Sequence, residues 1–476
     1  MGNSIQPINL HPDRLFSADP KQRELSRALY KTVADLPIIS PHGHTDPSWF
    51  ADNENFKNAT QLLIIPDHYV FRMLYSQGVQ LEDLGVPRID GGESSTDYLK
   101  IWKTFAENYY LFHATPSRMW MDFVFSEVFG FTETLCPENA EDYYHKINAK
   151  LATEEFKPHA LLKKFNIELL ATTEGATDSL PHHAKIKELG LNKTVITTFR
   201  PDDVVDPEIR NFENNIKTLA ELTNEDVYSW KGYLNALRNR REFFRAHGAT
   251  ATDHGHATAL TANLSPAESE KLFNTIIKGE GTAEQNELFR AQMLTEMAAM
   301  SVEDGMVMQI HPGSRRNHNL QVFQKFGLDK GCDIPGRTDY VGSLKPMLDR
   351  FGTEKDLRII LFTLDESTYA RELAPLAGHY PCLKLGPAWW FHDSPEGMLR
   401  FRHNVTETAG FYNTVGFNDD TRAFLSIPSR HDVARRIDCR FLAQMVAEHR
   451  LSESAAFDLA YDLSYRLAKE AYQLTK

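Results

Sequence analysis

Paired cysteines are missing from this chain. The four present, Cys136, Cys332, Cys382 and Cys439, are far apart and form no Cys-x-x-Cys unit, so neither a disulfide framework nor a zinc knuckle is indicated. Free thiols in a reducing compartment are expected. No apolar run approaches the roughly 18 residues of a membrane span, and no charged-then-apolar signal pattern opens the chain, so a cytoplasmic protein without membrane association is expected. Basic runs are absent too. The 65 acidic and 52 basic residues give a net charge of −13, which argues against binding to a nucleic-acid backbone. There are no internal repeats, low-complexity tracts or Pro/Ser-rich linkers, so residues 1–476 are read as one domain.

What is present is the composition of a compact globular chain, 42% apolar and 25% charged. Eight short apolar or β-branched runs alternate with longer stretches of helical character: Pro37 to Ser40, Ile167 to Thr173, Thr194 to Phe199, Gly248 to Thr252, Gly305 to Ile310, Arg358 to Leu364, Cys382 to Leu385, and Thr414 to Phe417. A doubly wound sheet can also use eight strands, but no Gly-x-Gly-x-x-Gly follows any run. The fold expected is therefore α/β, a distorted (β/α)8 TIM-type barrel. Residues 50–160 fall between the first two runs and read as a mainly helical insertion, with an amphipathic helix from Ser95 to Phe112. The stretch from Arg430 to Tyr472 also reads as helix.

Chemistry-bearing residues follow nearly every run, which in a barrel places them on one rim. His42 and His44 leave the first strand at i and i+2, on one face, where they can share a metal ion. A bare His-x-His is more often a turn that happens to contain two histidines. Asp420, after the last run, is the candidate third ligand, because barrel closure brings the last strand beside the first. Asp419 is its rival, and a loop-capping carboxylate is the plainer reading of either. Arg200, Asp253-His254, His311, Trp389 and Arg422 follow other runs. Three arginines, Arg200, Arg316 and Arg422, suit a substrate carboxylate if they converge and are a solvated face if they do not. Asp67-His68-Tyr69 supplies proton-transfer groups if the insertion folds over the barrel mouth. Trp389-Trp390-Phe391 is a stacking wall or ordinary core packing.

Seven blocks in order resemble the uronate isomerases, also called glucuronate isomerases, of the amidohydrolase superfamily. They are Ser40-Pro-His-Gly-His-Thr-Asp-Pro47, Asp67-His-Tyr69 with Arg72, Thr198-Phe-Arg-Pro-Asp202, Asp253-His-Gly255, His311-Pro-Gly313 with Arg316, Gly386-Pro-Ala-Trp-Trp-Phe391, and Asp420-Thr-Arg422 leading to Arg430-His431. The resemblance implies conversion of D-glucuronate to D-fructuronate and of D-galacturonate to D-tagaturonate. It further implies one divalent metal, commonly zinc, on His42, His44 and Asp420. His68, Tyr69, Arg200, His311, Arg316, Trp389 and Arg422 match the other active-site positions. The C2-to-C1 proton transfer falls to Tyr69 assisted by an arginine such as Arg422, or to Asp420, and the sequence leaves both open. The departures are Val70-Phe71 after the Asp-His-Tyr block and a second-strand loop, Glu174-Gly175-Ala176, without the usual Asp-Asp-Pro. The sixth run also ends in Leu364-Asp365 rather than histidine, which points to a single ion instead of a binuclear hydrolase site. The rival reading is a mononuclear amidohydrolase or lactonase acting on a carboxylated small molecule. The expected partners are a small hexuronate and further copies of the chain as a homo-oligomer, with no nucleic acid.

Overall fold

The computed structural model describes residues 6–474, so the first five residues, read above for a signal pattern, lie outside the described residues. Seven parallel strands curl in chain order: β1 (Ile38–Ser40), β2 (Ile167–Gly175), β3 (Val195–Arg200), β4 (Ala251–His254), β5 (Val307–Ile310), β6 (Ile359–Leu361) and β7 (Leu383–Leu385). Strand sequences this apolar are buried on both faces, as parallel sheets covered by helices require.

The eighth run does not form a strand. Thr414 makes one parallel bridge to Leu385, and the ladder stops there. Gly416 follows with φ +75°, and a Cβ at that position would lie 2.8 Å from the Leu463 carbonyl, so the C-terminal helices occupy the space a longer strand would need. The ring is instead closed at its rim by the His44 N–H, which donates to the Thr421 carbonyl at 3.0 Å. The fourth strand also lies further along the chain than Gly248 to Thr252. Gly248, at φ +98°, is still in the turn after the preceding helix, and Asp253 and His254 belong to the strand itself.

The segment between β1 and β2 is helical. Its helix Tyr98–Glu107 starts at Asp97, whose side chain caps the Lys100 N–H, and buries Ile101, Trp102, Phe105 and Ala106 on one face. Those residues share an apolar cluster with Ile38 and Ile167 of the barrel wall. At the opposite side the long helix Ile427–Ala447 anchors the chain ends, with Arg435 donating to the carbonyls of Ala34, Leu36 and Pro37. Ala468 packs among Ile39, Leu169, Ala171 and Ile196, and Tyr472 among Ala251, Val307 and Ile360, so the last helical turns fill the barrel interior. No helix among the described residues is long and apolar enough to cross a membrane.

Candidate active site

β1 delivers His42 fully buried and His44 about a quarter exposed. The glycine between them permits a close approach: a Cβ there would meet the Ala171 and Thr421 carbonyls at 3.4 Å each, and Thr173 donates to the Gly43 carbonyl at 2.9 Å. Asp420 sits at φ +37°, a region costly for a non-glycine residue, and that backbone turn aims its carboxylate at both histidines. Its Oδ1 lies 3.5 Å from His42 Nε2 and 3.2 Å from His44 Nε2, while Oδ2 accepts from Trp389 Nε1 at 2.5 Å. One donor atom from each of His42, His44 and Asp420 lies within 4.8 Å of the others. Asp419, the rival, turns the other way and meets His431 Nε2 at 3.0 Å.

The electrostatics suit a cation. Burial pushes His42 down to about 4, so its imidazole is neutral near pH 7. Burial opposes ionisation of Asp420, but His42 and His44 hold its carboxyl well below the usual carboxylate range. Neutral imidazoles and an ionised carboxylate are the forms that bind a divalent metal. Behind His42, the Gln309 amide lies 3.3 Å from Nδ1 and accepts from the Tyr472 hydroxyl at 2.8 Å, fixing the ring from inside the barrel.

His311 comes off β5 with its Nδ1 on Asp253 Oδ1 at 2.7 Å, and Asp253 Oδ2 is 3.0 Å from Arg200 Nη1. The His311 ring stacks between His42 and Phe362, with centroids 4.9 and 3.9 Å away, and its buried Nε2 has no hydrogen-bond partner. Burial opposes ionisation of Asp253, yet Arg200 and His311 hold it well below the usual range. The sequence put Asp253 on the rim without a role. The signal that identifies it is its place inside the strand, one residue before the end, which turns it inward between a histidine and an arginine.

The insertion folds over the mouth through the helix His68–Tyr75, capped by Asp67, which accepts from the Tyr69 N–H at 2.9 Å. Val70 and Phe71 of the divergent pair are buried in the insertion core. His68 stacks on Tyr69, centroids 4.8 Å apart, and is pushed down to about 3 by burial and by Arg422. Burial pushes the Tyr69 phenol well above its ordinary value, with Arg430 partly offsetting it. Arg430 lies 5.7 Å from the Tyr69 ring centroid, 3.5 Å from that of Trp120, and pairs with Asp393 at 2.5 Å. Arg430 is therefore a guanidinium beside Tyr69, where the sequence offers an arginine such as Arg422. Arg430 is 2% exposed on the helix Ile427–Ala447; the sequence places it at the end of the seventh block without giving it a role.

Arg422 and Arg316 converge on one carboxylate. Asp329 Oδ2 accepts from Arg422 Nη2 at 2.8 Å and Oδ1 lies 3.5 Å from Arg316 Nη1, while Asp333 takes the same Arg316 nitrogen at 3.0 Å. Arg316 also lies over the Trp390 ring at 5.4 Å, so the Trp-Trp-Phe block is both wall and cation platform. Asp329 was invisible in the sequence, because it sits in a loop at φ +59° far from any strand end.

Glu174, read from the sequence as part of a loop, lies within β2, paired with Phe199; it is buried and accepts from the Thr197 hydroxyl, and burial pushes it up to about 7 from 4.5 against that hydrogen bond. A raised carboxyl stabilises the fold fully below about pH 4.5 and loses that contribution as pH rises through about 7, on the order of 3 kcal/mol in all. Glu174→Gln is therefore expected to gain stability relative to wild type between pH 5 and pH 8. Chemical denaturation at the two pH values checks it, and an unchanged difference refutes the assignment.

A curled parallel α/β sheet with a His-x-His pair and a carboxylate at its rim defines a barrel protein of the TIM type with residues apt for a metal. Within that class the chain belongs to the glucuronate isomerase family, whose model matches residues 19–472. A uronate isomerase of Xanthomonas euvesicatoria pv. vesicatoria (strain 85-10) is 61% identical over 467 residues, covering 98% of this chain and 99% of that protein. The crystal structure of glucuronate isomerase from Caulobacter crescentus has a TM-score of 0.97 at 61% identity, covering 99% of this chain and 98% of that one. That of uronate isomerase from Thermotoga maritima has a TM-score of 0.90 at 26% identity, covering 98% and 99%. The protein is an isomerase acting on a small molecule, and the hydrolase alternative is not favoured.

Proposed function

We propose that the enzyme interconverts D-glucuronate and D-fructuronate, and D-galacturonate and D-tagaturonate, at a single zinc ion bound by His42, His44 and Asp420. One observation carries this reading: beside the three metal-apt groups, Arg422 and Arg316 are already closed on a carboxylate, that of Asp329. The C6 carboxylate of a uronate presents the same group to the same two arginines, while its C1–C2 end extends toward Asp420 and His311. The bound ion would supply Lewis-acid polarisation of the sugar carbonyl.

The chain's residues divide the remaining work. Asp420 is ionised near neutral pH and Tyr69 is not, which favours Asp420 over Tyr69 as the base at C2. The carboxylate takes the C2 proton, the electron pair forms the C1–C2 double bond of an enediolate, and the carbonyl oxygen takes the charge. The neutral Tyr69 phenol is suited to donate to that oxygen and to recover a proton from the C2 hydroxyl. Returning the first proton to C1 completes the ketose. His68, a buried neutral ring, and His311, with its unpartnered Nε2, hold sugar hydroxyls; Asp253 fixes the direction of His311 and of Arg200. Trp389 orients Asp420 and closes the apolar wall.

Purified protein supplied with zinc is expected to form a ketouronate from both aldoses. In deuterated water the product carries label at C1 to the extent that the base exchanges its proton before returning it. No turnover of either aldose by zinc-replete protein would sink the reading. A cytoplasmic location is supported by four unpaired cysteines, and a homo-oligomer by Leu320, Leu328, Ile334 and Val341, all exposed within one stretch of chain.

A further inference from the structure

The chain contains a second His-Gly-His. His254 ends β4 and His256 follows the glycine, and both rings are buried, at 0% and 4% exposure. With Asp202, which follows β3, they form a cluster whose three ligand atoms lie within 4.8 Å of one another. We propose that Asp202, His254 and His256 bind a second divalent cation of the zinc type, outside the rim triad.

Unsatisfied nitrogen atoms carry the argument. His254 Nε2 lies 2.9 Å from Thr252 Oγ1, and that hydroxyl is itself placed to donate to the Val307 carbonyl at 3.5 Å. With the hydroxyl accepting from a protonated Nε2, His254 Nδ1 carries the lone pair, and that nitrogen is buried and without a partner. Neither ring nitrogen of His256 has a partner, although burying a polar atom unpaired costs about 1–3 kcal/mol. His256 Nε2 faces Asp202 Oδ1 at 3.7 Å, too long for a hydrogen bond. Zinc, with bonds of roughly 2.0–2.1 Å in a tetrahedron, wants ligand atoms about 3.4 Å apart, so this cluster would contract on binding. Two imidazoles and a carboxylate are a common zinc set that leaves one position for water.

The surroundings tolerate the added charge. Asp202, Asp206 and Glu287 face His256 with Arg290, and Asp202 and Asp253 face His254 with Arg241, while Arg200 pairs with Asp202 and Asp253. Burial keeps both rings neutral, His254 down to about 3. Arg200 takes Asp202 through Oδ2 at 2.8 Å, leaving Oδ1 turned toward His256. Gly255 makes the arrangement possible, since a Cβ there would fall 2.0 Å from the Arg200 guanidinium, and its N–H donates to Asp202 at 3.0 Å. A cation here would lock Asp202 in place and through it Arg200, so its role is positioning.

The test is metal content of the full-length protein, stripped with a chelator, reloaded with zinc and passed through a desalting column in a weak competing chelator. Two equivalents per chain are expected for wild type and one for His256→Gln. His42→Ala, which leaves the second cluster intact, is also expected to retain one equivalent, and His42→Ala with His256→Gln none. His256→Asp, which keeps a ligand, should restore the second equivalent and shows that a loss in the glutamine variant is not misfolding. One equivalent in wild type together with none in His42→Ala, or an unchanged two in His256→Gln, overturns the proposal. One equivalent in wild type that survives in His42→Ala but not in His256→Gln upholds this site and refutes the rim triad instead.

Discussion

His42→Ala is expected to lose the rim metal and to cut turnover by about a thousandfold or more, since Lewis-acid polarisation of a carbonyl supplies several kcal/mol and each 1.4 kcal/mol is a factor of ten. The effect should be this large because His42 is the fully buried ligand of the triad. It is the buried partner of Asp420, its ring is held by Gln309 on one side and stacked on His311 on the other, and alanine leaves the partly exposed His44 as the one histidine of the triad beside Asp420. Metal analysis beside a uronate assay reads both losses. Full activity with the rim ion absent would contradict the reading of the triad. The protein should remain folded, because the strand bearing His42 is held by its ladder to β2 and by Thr173 on the Gly43 carbonyl, neither of which uses the imidazole.

Arg422→Met is the complementary experiment. Truncating one partner of a hydrogen-bonded charge pair costs about 2–5 kcal/mol, so kcat/KM should fall roughly 30-fold to several thousandfold. Metal content should stay at the wild-type value, because Arg422 pairs with Asp329 and touches none of His42, His44 or Asp420. Equal metal loss in Arg422→Met and His42→Ala would contradict the separate roles. A fall in activity seen only with uronates, and not with an aldose lacking the C6 carboxylate, would tie the arginine to that group.

How far the sequence was legible depends on what kind of information each feature needs. Strands and rim residues are local: β-branched runs ending in His, Asp or Arg mark seven of the eight barrel positions, and the positions of His42, His44, Asp420 and His311 follow from them. The eighth run reads as a strand by composition, but what prevents its ladder is Leu463 and Ala468 pressing on Gly416, a contact between distant parts of the chain. Asp329, and the role of Arg430 in the seventh block, were hidden for the same reason. Each acquires its place only when a helix or loop folds back on another motif, Arg430 onto Tyr69 and Trp120, Asp329 between two arginines. The choice of Asp420 over Asp419 turns on one backbone angle, φ +37°, which no pattern of residue types encodes.

The plug formed by the last helical turns has a consequence for how the molecule is assembled. Tyr472 reaches Gln309 across 163 positions of sequence, and Gln309 steadies His42 across another 267. Contacts of such span are made late, after most of the chain's entropy has been surrendered, and proteins dominated by them reach the native state slowly. The rim can thus be nearly complete while its first histidine is still free to turn, so the capacity to hold the ion in a defined geometry should be among the last properties a folding molecule acquires.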